Sequence, residues 1–279
     1  MLIQLDHVKK EYEDFTLELD MQIPENRVTG LIGANGAGKS TTFKLMLGLI
    51  RPDYGTVNVL DRKASDLTVM EKEKIGTVFS DSGFSEYLTV QQVIHIMKNF
   101  YTDFNENLFQ KQCEKLEIPL RKQIKEFSTG MKAKLKVILA ISHDSKLLIL
   151  DEPTAGLDVI AREEILNLLC DYMDTPGRSI VISSHISGDL EHFCDDVYMI
   201  HNGKIVLHEE TDRILDEYGF IKVPEQEFAK LDKEYILRIK KENFGYSCLT
   251  DQKNYYLENY PGIVIEKGSV DEVITMMVK

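Results

Sequence analysis

A glycine-rich segment near the start of the chain has the residue types needed to bind phosphate. Residues 33–40 read GANGAGKS, which fits the phosphate-loop pattern G-x-x-x-x-G-K-[ST] at every fixed position. The glycines let backbone N–H groups point inward, and the positive end of a following helix closes this anion nest. Lys39 is expected to reach the β- and γ-phosphates, and the Ser40 hydroxyl to join a Mg²⁺ shell. The segment predicts that the chain binds a nucleoside triphosphate.

The flanking sequence supplies the context that this pattern requires. Residues 28–32 are an apolar run typical of a buried strand, and residues 41–49 favour a helix. A strand, a loop and a helix in this order distinguish a phosphate loop from a chance match. We expect the nucleotide to contact Gly33, Asn35, Gly36, Ala37, Gly38, Lys39, Ser40 and Thr41.

Candidate catalytic groups follow two later predicted strands. The apolar residues 147–150 end in Asp151 and Glu152. A phosphate loop needs a carboxylate for Mg²⁺ and a base for the attacking water, so Asp151 suits the metal and Glu152 the water. His185, after a predicted strand at 179–183, could contact the γ-phosphate. Taken alone, these residues could equally be a solvated strand end and a structural histidine.

Strands alternate with helices, which predicts a mainly parallel sheet with active groups at the carboxyl ends of its strands. Residues 2–8 and 15–23 favour antiparallel strands near an edge, and Thr89 with Gln92 forms a capping box that begins a helix. Residues 103–126 have helical periodicity, so about 85–145 is expected to be a helical subdomain. A hairpin is predicted around Asn202 and Gly203. From residue 219 the predicted elements are strands at 234–241 and 262–266 and helices at 252–260 and after Ser269.

Composition limits the range of partners. The 279 residues carry a net charge of −13, which argues against nucleic acid as the main partner. We expect no signal peptide, and the longest apolar runs, of about five residues, are far short of the ~20 that a spanning helix needs. Any membrane role is therefore expected to come through a partner.

Four widely spaced cysteines are predicted to be buried free thiols in a reducing cytosol, namely Cys113, Cys170, Cys194 and Cys248.

The order of these motifs resembles that of the ATP-binding subunit of ABC transporters. After the phosphate loop and the helical insert come FSTGM at 127–131, LLILDEPTAGLD at 147–158 and SSH at 183–185. The resemblance covers roughly residues 1–215 and is specific, because several independent motifs occur in the expected order. It implies an α/β P-loop NTPase with an ABC-type helical subdomain and an antiparallel β edge, at 1–218. A small C-terminal α+β appendage is expected at 219–279.

The resemblance also implies roles for individual residues. Asp151 and Glu152 would be the Walker B pair, Asp158 the D-loop aspartate and His185 the switch histidine. Tyr12 would stack on adenine, although on local sequence alone it could be a turn aromatic that covers the sheet. Two ATPase subunits would meet head to tail, each giving its signature residues to the ATP held by the other. Those signature residues are Ser128 and Gly130.

The sequence departs from the family pattern in two places. Ser80 and Asp81 stand where the family usually has a glutamine, and Asp81 as a replacement metal ligand is a hypothesis. Thr129 and Met131 replace the first glycine and the glutamine of the common signature, which leaves the two phosphate-contacting positions intact. A competent ATPase site is therefore expected.

The implied function is an ATP-hydrolysing subunit that powers a membrane exporter, with ATP and Mg²⁺ as cofactors. The chain looks most like the ATPase subunits of bacterial ABC-2-type exporters, where export of peptides or antimicrobial compounds is common. Its expected partners are an integral membrane permease and a second ATPase subunit, in a homodimer or heterodimer. It would be cytoplasmic and peripheral on the inner face of the cell membrane. The alternatives are an importer ATPase, or a soluble ABC ATPase that acts on ribosomes or DNA.

Overall fold

The computed structural model describes residues 1–79, 83–184 and 187–278, without the side chains of residues 187 and 189. Across these ranges the strands form one ten-stranded and one four-stranded sheet. The strands of the large sheet are β1 (Ile3–Glu11), β2 (Thr16–Ile23), β3 (Val28–Ile32), β4 (Tyr54–Val59), β5 (Arg62–Lys63), β6 (Ile75–Val78), β7 (Leu147–Asp151), β8 (Ser179–Ser184), β9 (Asp196–His201) and β10 (Lys204–Glu210). The small sheet contains β11 (Gly219–Val223), β12 (Ile236–Glu242), β13 (Gly245–Thr250) and β14 (Val264–Lys267).

The helices pack on both sheets. They are α1 (Lys39–Met46), α2 (Val69–Lys72), α3 (Val90–Phe100), α4 (Glu106–Lys115), α5 (Thr129–Ile141), α6 (Val159–Met173), α7 (Ser187–Glu191), α8 (Thr211–Glu217), α9 (Glu225–Phe228), α10 (Lys253–Asn259) and α11 (Val270–Met277). Two short 3₁₀ turns lie at Ala64–Asp66 and Ile124–Glu126. The predicted α/β class is confirmed.

The large sheet has a parallel half and an antiparallel half. Its strand order is β5-β4-β1-β2-β10-β9-β3-β8-β7-β6. The strands from β9 to β6 pair in parallel, whereas β1 pairs antiparallel with both β2 and β4. The predicted antiparallel edge is therefore confirmed in one half of the sheet, and the predicted parallel strands form the other. In that half the carboxyl ends of β3, β7 and β8 lie at one edge, since Ile32 pairs with Ser184 and Asp151 with Ser183.

Burial explains why these strands can carry a site. Every residue of β3, β7 and β8 is buried, as expected for parallel strands covered on both faces. On one face Ile138 of α5 and Ile165 of α6 belong to one apolar cluster. On the other face Phe43 of α1 packs in a second cluster with Leu31 and Ile149. Apolar side chains thus pack against β3, β7 and β8 on both faces of the sheet.

The β9–β10 hairpin supports the phosphate loop from the side. Its turn residues Asn202 and Gly203 have φ of 47° and 76°, as a type I′ turn requires, which confirms the predicted hairpin. The Gly203 N–H donates a 3.1 Å hydrogen bond to the carbonyl of Ala37. The sharp turn therefore anchors the middle of the phosphate loop.

The helical insert is shorter in helix than predicted. The Thr89 capping box is present and begins α3, but α4 ends at Lys115 rather than continuing towards residue 126. Glu117 has a φ of 57°, which is incompatible with a right-handed helix. Pro119 follows two residues later and also disfavours a continuing helix. After the 3₁₀ turn at Ile124–Glu126, the chain enters α5 with Ser128 as its N-cap.

The C-terminal residues form the four-stranded antiparallel sheet and share a core with the rest of the chain. The sequence predicted β12, β14, α10 and α11 but missed β11 and β13. Ile221 and Tyr256 pack in a core of their own on one face of this sheet. On the other face Val273 of α11 and Phe220 belong to the same apolar cluster as Leu190 of α7.

One prediction about the cysteines is wrong. Cys113, Cys194 and Cys248 are buried free thiols, but Cys170 is exposed. It lies on the outward face of α6, opposite Ile165 and Leu168, which are buried. In the part of the chain that the structure describes, no helix has both the length and the apolar character to cross a bilayer.

Candidate nucleotide-binding site

The phosphate loop connects buried strand β3 to helix α1. Gly38 is the N-cap of α1 with φ of 119°, a conformation that favours glycine. A Cβ at this position would lie 2.5 Å from Cδ1 of Leu17, so close packing also excludes a side chain. The first N–H groups of α1 lack helical partners and carry the positive end of the helix dipole. The loop therefore presents an electropositive backbone at the sheet edge.

Lys39 is buried at the base of this loop, with 6% of its surface exposed. Its Nζ donates hydrogen bonds to the carbonyls of Gly33 at 2.7 Å and Ala34 at 3.3 Å. Nζ also lies 3.4 Å from Oε1 of Glu152. A buried ammonium needs such partners, because removal from water is costly without them. The cation is thus fixed at the base of the loop, beside the Glu152 carboxylate.

The Asp151 carboxylate is held by two hydroxyls. Ser40 Oγ donates to Oδ2 of Asp151 at 2.6 Å, and Ser183 Oγ donates to Oδ1 at 2.6 Å. Asp151 is 9% exposed, so these bonds form in a largely desolvated setting where they are strong. The structure brings Ser40 and Asp151 together as the sequence predicted. Sequence reasoning missed Ser183, whose only signal was a polar pair at the carboxyl end of an apolar strand.

Glu152 leaves β7 in a left-handed conformation. Its φ is 51°, which costs a non-glycine residue about 1–2 kcal/mol. The Glu152 N–H donates to Ser183 Oγ at 3.0 Å, and its carbonyl accepts from the N–H of Ala155 at 3.2 Å. Its side chain is 22% exposed. Strain of this kind is common at functional sites and aims Glu152 at the loop rather than along the strand.

A cleft of about 220 Å³ opens over the phosphate loop and is lined by Glu152 and by most of the residues predicted to contact the nucleotide. Phe15 also lines it, although the sequence pointed to Tyr12. Tyr12 is 47% exposed, and its ring centroid lies 6.4 Å from that of Phe15. The signal that could have found Phe15 is a second aromatic three residues after the first, immediately before β2. The full lining is Phe15, Asn35, Gly36, Gly38, Lys39, Ser40, Thr41 and Glu152.

Gly33 and Ala37 belong to the phosphate loop without lining the cleft, and the residues predicted to act across a dimer lie elsewhere. Ser128 is the N-cap of α5, and its Oγ accepts the Met131 N–H at 3.2 Å. Asp158 is the N-cap of α6, and its Oδ1 accepts the Ala161 N–H at 2.8 Å. Neither these two residues nor Gly130 are among the described residues that line the cleft.

Two further predicted site residues are Asp81 and His185. Both lie outside the described residues. Their roles stay predictions.

Comparison with known proteins identifies the class to which this site belongs. The family model described as "ABC transporter" matches residues 17–155. The bacitracin transport ATP-binding protein of Enterococcus faecalis is 32% identical over 209 residues, which cover 74% of this chain and 68% of that one. The lantibiotic transport ATP-binding protein of Streptococcus pyogenes is 32% identical over 215 residues, covering 76% and 92%. The Nod factor export ATP-binding protein I of a Rhizobium species is 26% identical over 261 residues, covering 89% and 86%.

Solved structures show the same fold. An ATP-binding subunit of an ABC transporter superposes with a TM-score of 0.68 at 26% identity, covering 77% of this chain and 92% of that one. A bacterial ABC transporter cassette, solved as a dimer, has a TM-score of 0.67 at 20% identity, covering 75% and 99%. The architecture is that of a P-loop NTPase. The chain belongs to the ABC transporter family, as one of its ATP-binding subunits, and is an ATPase.

Proposed function

We propose that this chain powers a membrane exporter by hydrolysing ATP in a head-to-tail pair of ATPase subunits. The observation that carries the proposal is the convergence of Lys39, Ser40, Asp151 and Glu152 at one sheet edge. These four groups supply a phosphate-binding cation, a metal-binding pair and a carboxylate for the attacking water. The export part is supported by relatives named for transport of bacitracin and lantibiotics and for export of Nod factor. Peptides or antimicrobial compounds are accordingly the proposed cargo.

The donor set fits Mg²⁺. Ser40 and Asp151 converge within 2.6 Å and offer only oxygen, the ligand type that Mg²⁺ prefers. Among the described residues, no cluster of three or more His, Cys, Asp or Glu could hold a metal alone, and Mg²⁺ sites typically draw on substrate phosphates and water instead. We propose that Ser40 and Asp151 hold the ion, with Asp81 as a hypothetical further ligand. The bound ion would neutralise charge on the β- and γ-phosphates.

Each group of the site is proposed to have a separate role in hydrolysis. The loop backbone around Gly36 and Gly38 binds the phosphates, and Lys39 offsets their charge. Glu152 lies at the cleft beside Lys39, where we propose that it orients and deprotonates the attacking water. We assign a γ-phosphate contact to His185. Phe15 and Tyr12 are proposed to cover the base and sugar.

The signature residues are proposed to act across a dimer. Ser128 and Gly130 stand at the start of α5, outside the cleft of their own chain. A second subunit turned head to tail would bring such a helix start against the γ-phosphate, where N–H groups favour negative charge. Asp158 would contact the partner at the same interface. We propose that ATP closes this pair, which is either a homodimer or a heterodimer, and that hydrolysis reopens it.

We also propose boundaries for two domains and a location for the chain. Residues 1–218 would form the ATPase domain, with the helical subdomain at about 85–145, and residues 219–279 the C-terminal appendage. The proposed partner is an integral membrane permease, which would keep the chain on the cytoplasmic face of the cell membrane. No nucleic acid partner is proposed.

An affinity capture tests the exporter assignment. The tagged Glu152→Gln variant is isolated from its native membranes in mild detergent with Mg-ATP, because loss of the base should preserve the ATP-bound pair. Mass spectrometry is expected to identify a multi-spanning membrane protein and to show whether a second ATPase chain is present. The control is Lys39→Ala with Glu152→Gln, which should bind ATP poorly and lose the second ATPase chain. Ribosomal or other soluble partners without a membrane protein would contradict the assignment.

A further inference from the structure

Ser183 touches both carboxylate-bearing residues of the site through a single hydroxyl. Its Oγ donates to Oδ1 of Asp151 at 2.6 Å and accepts the Glu152 N–H at 3.0 Å. We infer that Ser183 is a positioning residue, which fixes the metal-binding carboxylate of Asp151 relative to the base Glu152. The inference rests on the proposed function, because it assumes that Asp151 and Glu152 serve Mg²⁺ and water.

The strand register explains how one side chain reaches both residues. β7 and β8 run parallel, and Asp151 pairs with Ser183 at the end of the ladder. Glu152 is the first residue beyond β7, where its φ of 51° turns the backbone out of the strand. Its N–H finds its acceptor in Ser183 Oγ instead of in a strand carbonyl. The hydroxyl thus completes the sheet at the point where the chain turns towards the phosphate loop.

The carboxylate of Asp151 is fixed from both sides by this arrangement. Ser40 binds Oδ2 and Ser183 binds Oδ1, so rotation about the Cβ–Cγ bond would break one of two short hydrogen bonds. Ser183 is 0% exposed, so its hydroxyl makes these hydrogen bonds away from solvent. Without it, Oδ1 and the Glu152 N–H both lose a partner, and the turn at Glu152 loses its support.

The same strand provides a matched control. Ser179 lies four residues earlier on β8, on the same face by the two-residue period of a strand, and is also 0% exposed. Its hydroxyl bonds the carbonyl of Pro24 at 3.5 Å, away from the cleft. Ser179→Ala therefore removes the same group from the same strand without touching Asp151 or Glu152.

The test compares Ser183→Ala, Ser183→Cys and Ser179→Ala in the full chain with two readouts. The first is the affinity for a fluorescent ATP analogue in EDTA and in Mg²⁺, which needs no turnover. We expect Ser183→Ala to bind normally in EDTA but to lose most of the affinity that Mg²⁺ adds. The second is steady-state ATPase activity, where kcat should fall about 10- to 100-fold, the usual effect of removing a group that orients a metal ligand. KM in saturating Mg²⁺ should change less than kcat, and Ser179→Ala should match the wild type in both readouts.

Measurements of stability show whether a Ser183 variant loses activity because the carboxylates are misplaced or because the fold is lost. Thermal unfolding is measured for every variant, and Ser183→Cys, whose slightly larger thiol is only a weak hydrogen-bond donor and acceptor, replaces Ser183→Ala if the latter does not fold. A folded Ser183 variant with wild-type Mg²⁺ response and kcat overturns the inference, as does an equal loss in Ser179→Ala. Failure to capture a permease would bear on the exporter assignment alone, since these measurements use the isolated chain.

Discussion

The hydroxyl of Ser40 donates a 2.6 Å hydrogen bond to Oδ2 of Asp151, and the two residues are 111 positions apart in the chain. The bond joins the first turn of α1 to the end of β7, the two elements that carry the proposed metal ligands. It exists because β3 and β7 both flank β8 and end at the same sheet edge.

Replacement of Ser40 by Ala should therefore uncouple metal binding from nucleotide binding. Affinity for ATP in EDTA is expected to stay near that of the wild type, because the loop backbone and Lys39 remain. The gain from Mg²⁺ should disappear, and kcat should fall by about 100-fold. Ser40→Thr, which keeps the hydroxyl and the phosphate-loop pattern, is the control and should retain activity. Mg²⁺-dependent turnover by Ser40→Ala within a few-fold of the wild type would remove this residue from the metal site.

Phe15 and Tyr12 should contribute to binding of the nucleoside but not of the phosphates. Phe15 lines the cleft, and stacking of a base on an aromatic ring is worth about 1–3 kcal/mol, so Phe15→Ala should weaken ATP binding at least about five-fold. Tyr12→Ala should weaken it as well if the exposed ring closes over the base. Calorimetry with ATP and with inorganic triphosphate separates the two effects. An equal loss for both ligands would show that the aromatic residues only shape the loop.

Features that depend on short local patterns could be predicted from the sequence, whereas features that depend on strand register or on turn conformation could not. The phosphate loop and the end of β7 were predictable, because both depend on short local patterns of glycine, lysine and apolar residues. Ser183 was not, since its contacts depend on the register between β7 and β8 and on the turn at Glu152. Phe15 depends likewise on how the β1–β2 turn folds over the loop. The strand β13 was missed because Ser247, Cys248 and Thr250 obscure its apolar alternation.

His143 should make stability depend on pH. Its ring stacks on Tyr101 with centroids 4.3 Å apart, and burial lowers the pKa of His143 from 6.5 to about 4. The folded state disfavours the protonated ring, so stability is fully present above pH 6.5 and is lost as pH falls towards 4. The loss attributable to this group is about 3 kcal/mol in the free energy of unfolding.

A variant isolates this contribution from that of other groups. His143→Phe keeps an aromatic ring against Tyr101 but does not titrate. Urea unfolding from pH 7 to pH 4.5 should show a steeper fall in the wild type than in the variant. Parallel curves for the two proteins would contradict the assignment.

Glu191 should couple the C-terminal sheet to the ATPase core. Its Oε1 accepts the N–H of Val270 at 2.7 Å, at the first residue of α11. Glu191→Ala should lower the free energy of unfolding by about 1–2 kcal/mol, because the helix start loses a charged acceptor. Hydrogen exchange should rise in α11 more than in β7. Glu258→Ala, at an exposed position of α10, is the control. Unchanged exchange in α11 would show that the apolar contacts alone hold the appendage.

The role of Glu152 as the base of ATP hydrolysis is tested most directly by the rate of hydrolysis by Glu152→Gln, measured beside its affinity for Mg-ATP. Glutamine keeps the size of the side chain and one acceptor oxygen but cannot act as a base. If Glu152 is the general base, binding should stay within a few-fold of the wild type and kcat should be at least about 100-fold lower. Turnover at the wild-type rate would contradict it, and the hydrolytic centre would then lie elsewhere.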